Sequence, residues 1–367
     1  MLFSAATVLS FSSIVAASPL MSRNPASSAL HALSKRNPWN LDPALSTELR
    51  DAFTTGLRDA ISIAAAVLDP TNGIDNRAKN NQYMLAYFGT DDDATYGNVT
   101  TIFQNLVGTN SDGTGSYIPS TVTVYDEDWV IPPPGKGPGG GGDGMTRACD
   151  LTSNGLTLTA YTATRADKGT KWGMHFCPKW TQRVTDGYSL SRITANGCDA
   201  LKDTTVMDTT LMNRQNYAFG ILHEFFHVRE VAWDVTKKTT KDYAYGAWNV
   251  LQLALGQIKK PSGATAEPLE NADTFAWYAM HLYLNANCGG KTFDKATSVD
   301  NGIGPDGDPT GDPTQYTSDD EDLQYGPGQF CEGLSPGGGG TCIDIPEGCY
   351  IIKPVDNEVP TPVCGDQ

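Results

Sequence analysis

A chain of 367 residues with 26 basic and 42 acidic side chains carries a formal charge of −16, which repels nucleic-acid phosphate rather than releasing counterions from it. Outside the N-terminus the longest apolar run, Ile61 to Leu68, falls far short of the roughly twenty residues that a spanning helix needs. Nucleic acid and membrane are therefore excluded as expected partners, while 39% hydrophobic residues are enough to build a sizeable core.

Leu2 to Ala17 is apolar and rich in small residues, ending in Val15-Ala16-Ala17, so residues 1–17 read as a secretory signal. Residues 18–36 read as a short propeptide closed by the dibasic pair Lys35-Arg36, with the mature chain starting at Asn37. Removal of that leader leaves 23 basic against 42 acidic residues, a charge of −19 on a secreted, extracellular protein expected to be a monomer. In such a compartment eight cysteines imply four disulfides, whose 105 possible pairings the sequence leaves open. Cys149, Cys177, Cys198 and Cys288 lie among apolar segments, and Cys331, Cys342, Cys349 and Cys364 lie in the C-terminal tail. No CxxC pair supports a zinc-thiolate site. Asn98-Val99-Thr100 is a glycosylation sequon on exposed backbone.

In chain order, apolar residues at helical spacing predict an amphipathic helix over Pro43 to Leu68, and a second helix is predicted over Asn98 to Leu106. Thr121 to Val130 alternates like a strand, and the Gly/Pro-rich stretch 132–144 reads as a long loop. Short strands are predicted at Leu156 to Thr164 and Trp172 to Cys177, followed by helices around Tyr217 to Val228 and Thr274 to Leu284. Helices dominate a small sheet, an α+β class. The main domain is placed at 37–290. Residues 291–367 then hold 15 acids and 3 lysines, an extended acidic tail tied by its cysteines. Within it, Asp300 to Asp312 lacks EF-hand spacing and reads as a solvated linker.

The stretch that carries chemistry is His223-Glu224-Phe225-Phe226-His227. Residues four apart on a helix lie one turn above each other, so both imidazoles can converge on one Zn²⁺, with Glu224 beside it as general base. Ile221, Leu222, Phe225 and Val228 fall on the opposite side of the wheel, a core-facing stripe. The composition makes the motif a chance event at only about 0.002 expected matches per chain of this kind. His175 and His281 read as packed histidines, and Phe275, Trp277, Tyr278 and Tyr283 as core aromatics. The metzincin extension is absent, because His227 is followed by Val228-Arg229-Glu230-Val231.

Downstream, Thr239-Thr240-Lys241-Asp242-Tyr243-Ala244-Tyr245-Gly246 resembles the GTxDxxYG signature of the aspzincins, the deuterolysin-type and lysine-specific fungal metalloendopeptidases, with Thr239 in place of the first Gly. Asn271-Ala272-Asp273 resembles that family's Asn-Ala-Asp motif, and weaker likenesses at Tyr87-Phe88-Gly89 and Phe176-Cys177 extend the match over about residues 45 to 287. The resemblance implies a mostly helical zincin-type fold and one zinc ion held by His223, His227 and Asp242. It also implies Tyr245 as the oxyanion partner and Asp273 as a substrate-binding carboxylate. Ala276 stands where lysine-selective relatives carry a second acid, which argues against strict lysine selectivity. The expected function is zinc-dependent hydrolysis of internal peptide bonds in protein or peptide substrates. Two alternatives stay open: a third ligand from Glu270, and a non-catalytic secreted zinc-binding protein or antigen on the same fold. Asp273 also has an alternative reading, as a simple helix cap.

Overall fold

The computed structural model describes residues 40–108, most of 121–296, and short strands within 328–364. The expected signal, propeptide, Gly/Pro-rich loop and linker, and the side chains of the four tail cysteines, lie outside the described residues. The described chain is α+β: helices predominate beside one mixed four-stranded sheet. No helix in it is long and apolar enough to cross a membrane.

The first long helix, α1 (Thr47–Val67), begins four residues after Pro43, where Ser46 accepts the Leu49 amide at 3.2 Å. Its C-terminal half is buried through Ala60, Ile61, Ile63, Ala64 and Val67. Helix α2 (Arg77–Phe88) is absent from the sequence reading. Its Asn and Gln residues hide a stripe at helical spacing: Asn80, Tyr83, Met84, Tyr87 and Phe88 are all buried. Asn80 is accommodated because its amide donates to the carbonyls of Asn72 and Gly73 at 2.7 and 2.6 Å. Helix α3 (Asp93–Val107) starts earlier than expected, since Asp92 caps it through the Thr95 amide.

The sheet runs β1 (Asn40–Leu41), β2 (Val122–Tyr125), β4 (Thr170–Phe176), β3 (Ala160–Arg165) in spatial order. The first three are mutually parallel, and β3 pairs antiparallel to β4, with Thr162 opposite Met174. The expected strand over Thr121 to Val130 is broken: after Tyr125 the chain leaves the sheet, and Val130–Ile131 pairs instead with Thr146–Arg147. On the helical side, α4 (Leu190–Cys198) precedes α5 (Tyr217–Phe225), α6 (Ala247–Ala254) and α7 (Ala272–Asn287). Helices α1, α5 and α7 pack together in the centre of the core. Gly56 lies where α1 meets α5, and a Cβ there would lie 2.6 Å from the Ile221 Cδ1.

Two disulfides link the four cysteines found among apolar segments: Cys149–Cys177 and Cys198–Cys288. The second joins residues 90 apart, a loop closure worth about 4 to 5 kcal/mol in the chain-entropy account. Such bonds belong to oxidising compartments. His281 is fully buried, its Nε2–H donating to the Phe293 carbonyl at 2.6 Å while Nδ1 accepts from Tyr87, so it is a packed histidine as expected. Burial depresses its pKa to about 4.

Asp59 on α1 accepts the Leu190 amide at 3.1 Å and so helps start α4. Burial raises its pKa to about 6, only partly offset by that amide and by Arg58. The folded state thus holds this proton more tightly than the unfolded chain, and stability from this group is lost as pH rises from about 4 through 6. Asp59→Asn keeps the acceptor without the charge. It is expected to raise unfolding stability at pH 7 by about 1 to 3 kcal/mol and to change little at pH 4, as urea titrations at the two pH values would show.

Candidate metal centre

Helix α5 is built for burial. Asn216 caps it through the Ala218 amide at 3.1 Å, and Ile221, Leu222 and Phe225 enter the core with at most 1% exposure. The remaining side carries His223 and Glu224, both buried against β3 and the loop at 240–246. The helix stops at Phe225 rather than continuing to Val228. The cause is a tightened final turn, in which the amides of Phe226, His227 and Val228 reach back three residues to His223, Glu224 and Phe225. His227 is therefore delivered by a turn, yet it still lies over His223, with the two Nε2 atoms 3.2 Å apart.

Asp242 completes a triangle. Its Oδ1 lies 3.1 Å from His223 Nε2, and its Oδ2 lies 3.2 Å from His227 Nε2. Three ligands each bound at about 2.0 to 2.1 Å to a tetrahedral ion are roughly 3.3 to 3.4 Å apart, so the observed spacing is within a few tenths of an ångström of that figure. The tautomers agree. His223 Nδ1 faces Asp273 Oδ1 at 2.7 Å and His227 Nδ1 faces the Thr240 carbonyl at 3.1 Å. Both partners only accept, so each Nδ1 carries a hydrogen, and Nε2, the ring nitrogen turned toward Asp242, is the atom free to take a second proton or a metal ion. His223, His227 and Asp242 can together hold a metal ion.

The electrostatics point the same way. Burial alone would strip charge from both imidazoles, but the surrounding carboxylates outweigh it, Asp242 and Asp273 raising His223 well above its ordinary range and Asp242 and Glu224 raising His227 to about 9. Burial also opposes the charge on Asp242, yet the two imidazoles hold its carboxyl far below the usual carboxylate range. The cluster is thus a site where positive charge, as protons or as a metal cation, is strongly favoured. Glu224 is pushed upward chiefly by burial, with the two imidazoles opposing and Asp242 assisting.

The loop carrying Asp242 is pinned to the start of α7. Lys241 pairs with Asn271 as an isolated parallel bridge, its amide donating to Glu270 and its carbonyl accepting from Ala272. Asn271 then acts like a strand: its side chain accepts from the Ala244 amide at 2.9 Å and donates to the Ala244 carbonyl at 3.0 Å. Gly246, at the start of α6, has the positive φ of 83° that suits glycine, and its amide donates to Asp273 Oδ2 at 2.6 Å. Between them, the Tyr245 ring stacks 5.7 Å from the His223 ring.

Asp273, expected as a substrate-binding carboxylate, lies beside His223. It is buried, and each carboxylate oxygen is already engaged, one by His223 and the other by Gly246. It orients the His223 imidazole and holds the loop that carries Tyr245. It does not cap α7, which has no side-chain cap bond. Glu270 is also placed away from the triangle, ion-paired with Lys260 at 2.7 Å and accepting the Glu267 amide. Among the described residues one further group has metal-ligand composition, Cys149, His175 and Cys177, but its two sulfurs form a disulfide.

One contributor escapes the sequence: Thr162 on β3 donates to Glu224 Oε2 at 2.8 Å, a position with no local pattern because it acts through tertiary contact alone. Thr240 stands within the quoted stretch, but its part, supplying a carbonyl to His227, is visible only in the structure. No protein-family model, curated protein or solved structure matches this chain.

Proposed function

We propose that the chain is a secreted zinc-dependent metalloendopeptidase of aspzincin type. The observation that carries this reading is the triangle of His223, His227 and Asp242 with a buried carboxylate, Glu224, projecting beside it. Two imidazoles and one carboxylate oxygen match a catalytic zinc site, which keeps three protein ligands and one open position. Zinc, when bound, supplies Lewis acidity toward the scissile carbonyl and lowers the pKa of water to about 7.

The protein's own groups do the rest. Glu224 takes a proton from the attacking water and later gives it to the leaving amine, the work of a positioned carboxylate beside the metal site. Asp273 and Thr240 hold the two imidazoles in the ligating tautomer. Tyr245, on the loop fixed by Asn271 and Asp273, is assigned the developing oxyanion, where a phenolic donor favours the transition state over the substrate. Among the described strands, β3 is an edge of the sheet and touches Glu224 through Thr162, so it offers backbone pairing to an extended peptide next to the base. Asp273, engaged on both oxygens, presents no ready clamp for a lysine ammonium, consistent with broad rather than strictly lysine-directed cleavage.

The test is digestion of a denatured protein by the purified chain, before and after chelation. Cleavage is expected to disappear with the metal and return when zinc is restored. A folded, zinc-loaded chain that leaves every substrate intact would overturn the peptidase reading in favour of a zinc-binding protein.

A further inference from the structure

The reach of one hydroxyl across two elements suggests a role that the motif itself does not contain. Thr162 projects from β3 onto the C-terminal turn of α5, where its Oγ1 lies 2.8 Å from Glu224 Oε2 and 3.0 Å from the Glu224 main-chain oxygen. A threonine hydroxyl has one hydrogen and two lone pairs, so it can donate to only one of these acceptors at a time. The main-chain oxygen does not depend on it, because it already accepts the His227 amide. The carboxylate gives the stronger bond when ionised, since hydrogen bonds to charged groups are about twice as strong as neutral ones.

We infer that Thr162 is a positioning residue for the Glu224 base, holding its carboxylate in register through both halves of a proton-transfer cycle. This rests on the peptidase reading above. With Glu224 ionised, the hydroxyl donates to Oε2, which fixes the plane of the carboxylate and leaves Oε1 to face the water. Once Glu224 has taken the water proton on Oε1, Oε2 becomes the carbonyl oxygen of the carboxyl group and still accepts from the Thr162 hydroxyl. The proton moves from water to Glu224 and then to the amine nitrogen as the C–N bond breaks, so Thr162 itself gains and loses nothing. Either way the side chain stays tethered. A free glutamate with three rotatable bonds would otherwise have to be reordered at each step, which the tether avoids.

The geometry also says why a threonine suits this place. On a strand, its β-branched side chain has a restricted χ1, so the hydroxyl is aimed by the sheet rather than by solvent. Valine has the same shape and a strong preference for strands, which makes Thr162→Val a replacement that removes the hydroxyl while keeping the packing.

The experiment compares wild type, T162V and T162S for zinc content, thermal unfolding and steady-state peptide cleavage. The expected result for T162V is kcat lowered about 10- to 100-fold, with KM within twofold, one zinc per chain and an unfolding midpoint close to wild type. T162S, which keeps the hydroxyl, is expected to stay within about threefold of wild type. If T162V retains wild-type kcat while wild type cleaves, the positioning role is overturned and the peptidase reading stands. If T162V loses zinc or unfolds early and T162S does the same, Thr162 is a packing residue and the inference also fails. A wild-type chain that is folded and zinc-bound but cleaves nothing removes both.

Discussion

Glu224→Gln is expected to leave a folded chain with its zinc in place and a kcat lowered about 10³-fold, the range over which a positioned general base acts. Glutamine has the shape of glutamate and still presents an oxygen to the Thr162 hydroxyl, so the contact across β3 and α5 survives. What it lacks is any capacity to take a proton from water. The substitution also removes a carboxyl whose ionisation burial opposes, so the folded state loses no favourable charge by it. Zinc analysis beside steady-state kinetics separates the outcomes. A kcat within tenfold of wild type, with zinc retained, would mean that some other group activates the water.

Asp242→Ala is expected to abolish stable zinc binding. Losing merely an outer partner of a ligand costs 10- to 100-fold in metal affinity, and here the ligand itself and its negative charge both go, so a loss beyond about 100-fold is expected. The remaining imidazoles would face each other at 3.2 Å without the carboxylate that now favours their positive charge. Glu270→Gln is the control. The Glu270 carboxylate is held outside the triangle by Lys260 and the Glu267 amide, and zinc content should be unchanged. Equilibrium dialysis of both variants decides the matter, and zinc kept by Asp242→Ala but lost by Glu270→Gln would transfer the ligand role to Glu270.

The parts of the site that follow a repeat were legible in the sequence, and the parts that depend on contact were not. His223 and His227 lie one turn apart because of helical periodicity, and the same periodicity placed Ile221, Leu222, Phe225 and Val228 in the core. Asp242 is fifteen residues beyond His227, a distance that no local rule converts into proximity. It entered through its resemblance to a signature, and the geometry then brought its oxygens to 3.1 and 3.2 Å from the imidazoles. Asp273 shows the limit of that route. A motif gives a residue's position in the chain, but not the direction of its carboxylate, which here turns inward to His223 and Gly246. Helix α2 was missed for a compositional reason, since buried Asn80 looks like a loop residue until its two carbonyl partners are known. The helix expected to end at Val228 ends at Phe225 because a three-residue bonding pattern carries the chain onward with similar direction.

The clamp that Asn271 and Asp273 place on the loop at 240–246 makes the site a property of the whole fold. In a denatured chain only His223 and His227 remain neighbours, while Asp242 and the groups that orient the imidazoles disperse. An ion held by the native arrangement alone acts as a reserve of native-state stability, about 4 kcal/mol when free zinc exceeds the dissociation constant a thousandfold. A molecule stripped of its ion would lose that reserve together with its chemistry. Under the proposed peptidase activity, metal-free copies in a mixed population would be the ones to unfold first and the ones most open to digestion by loaded copies.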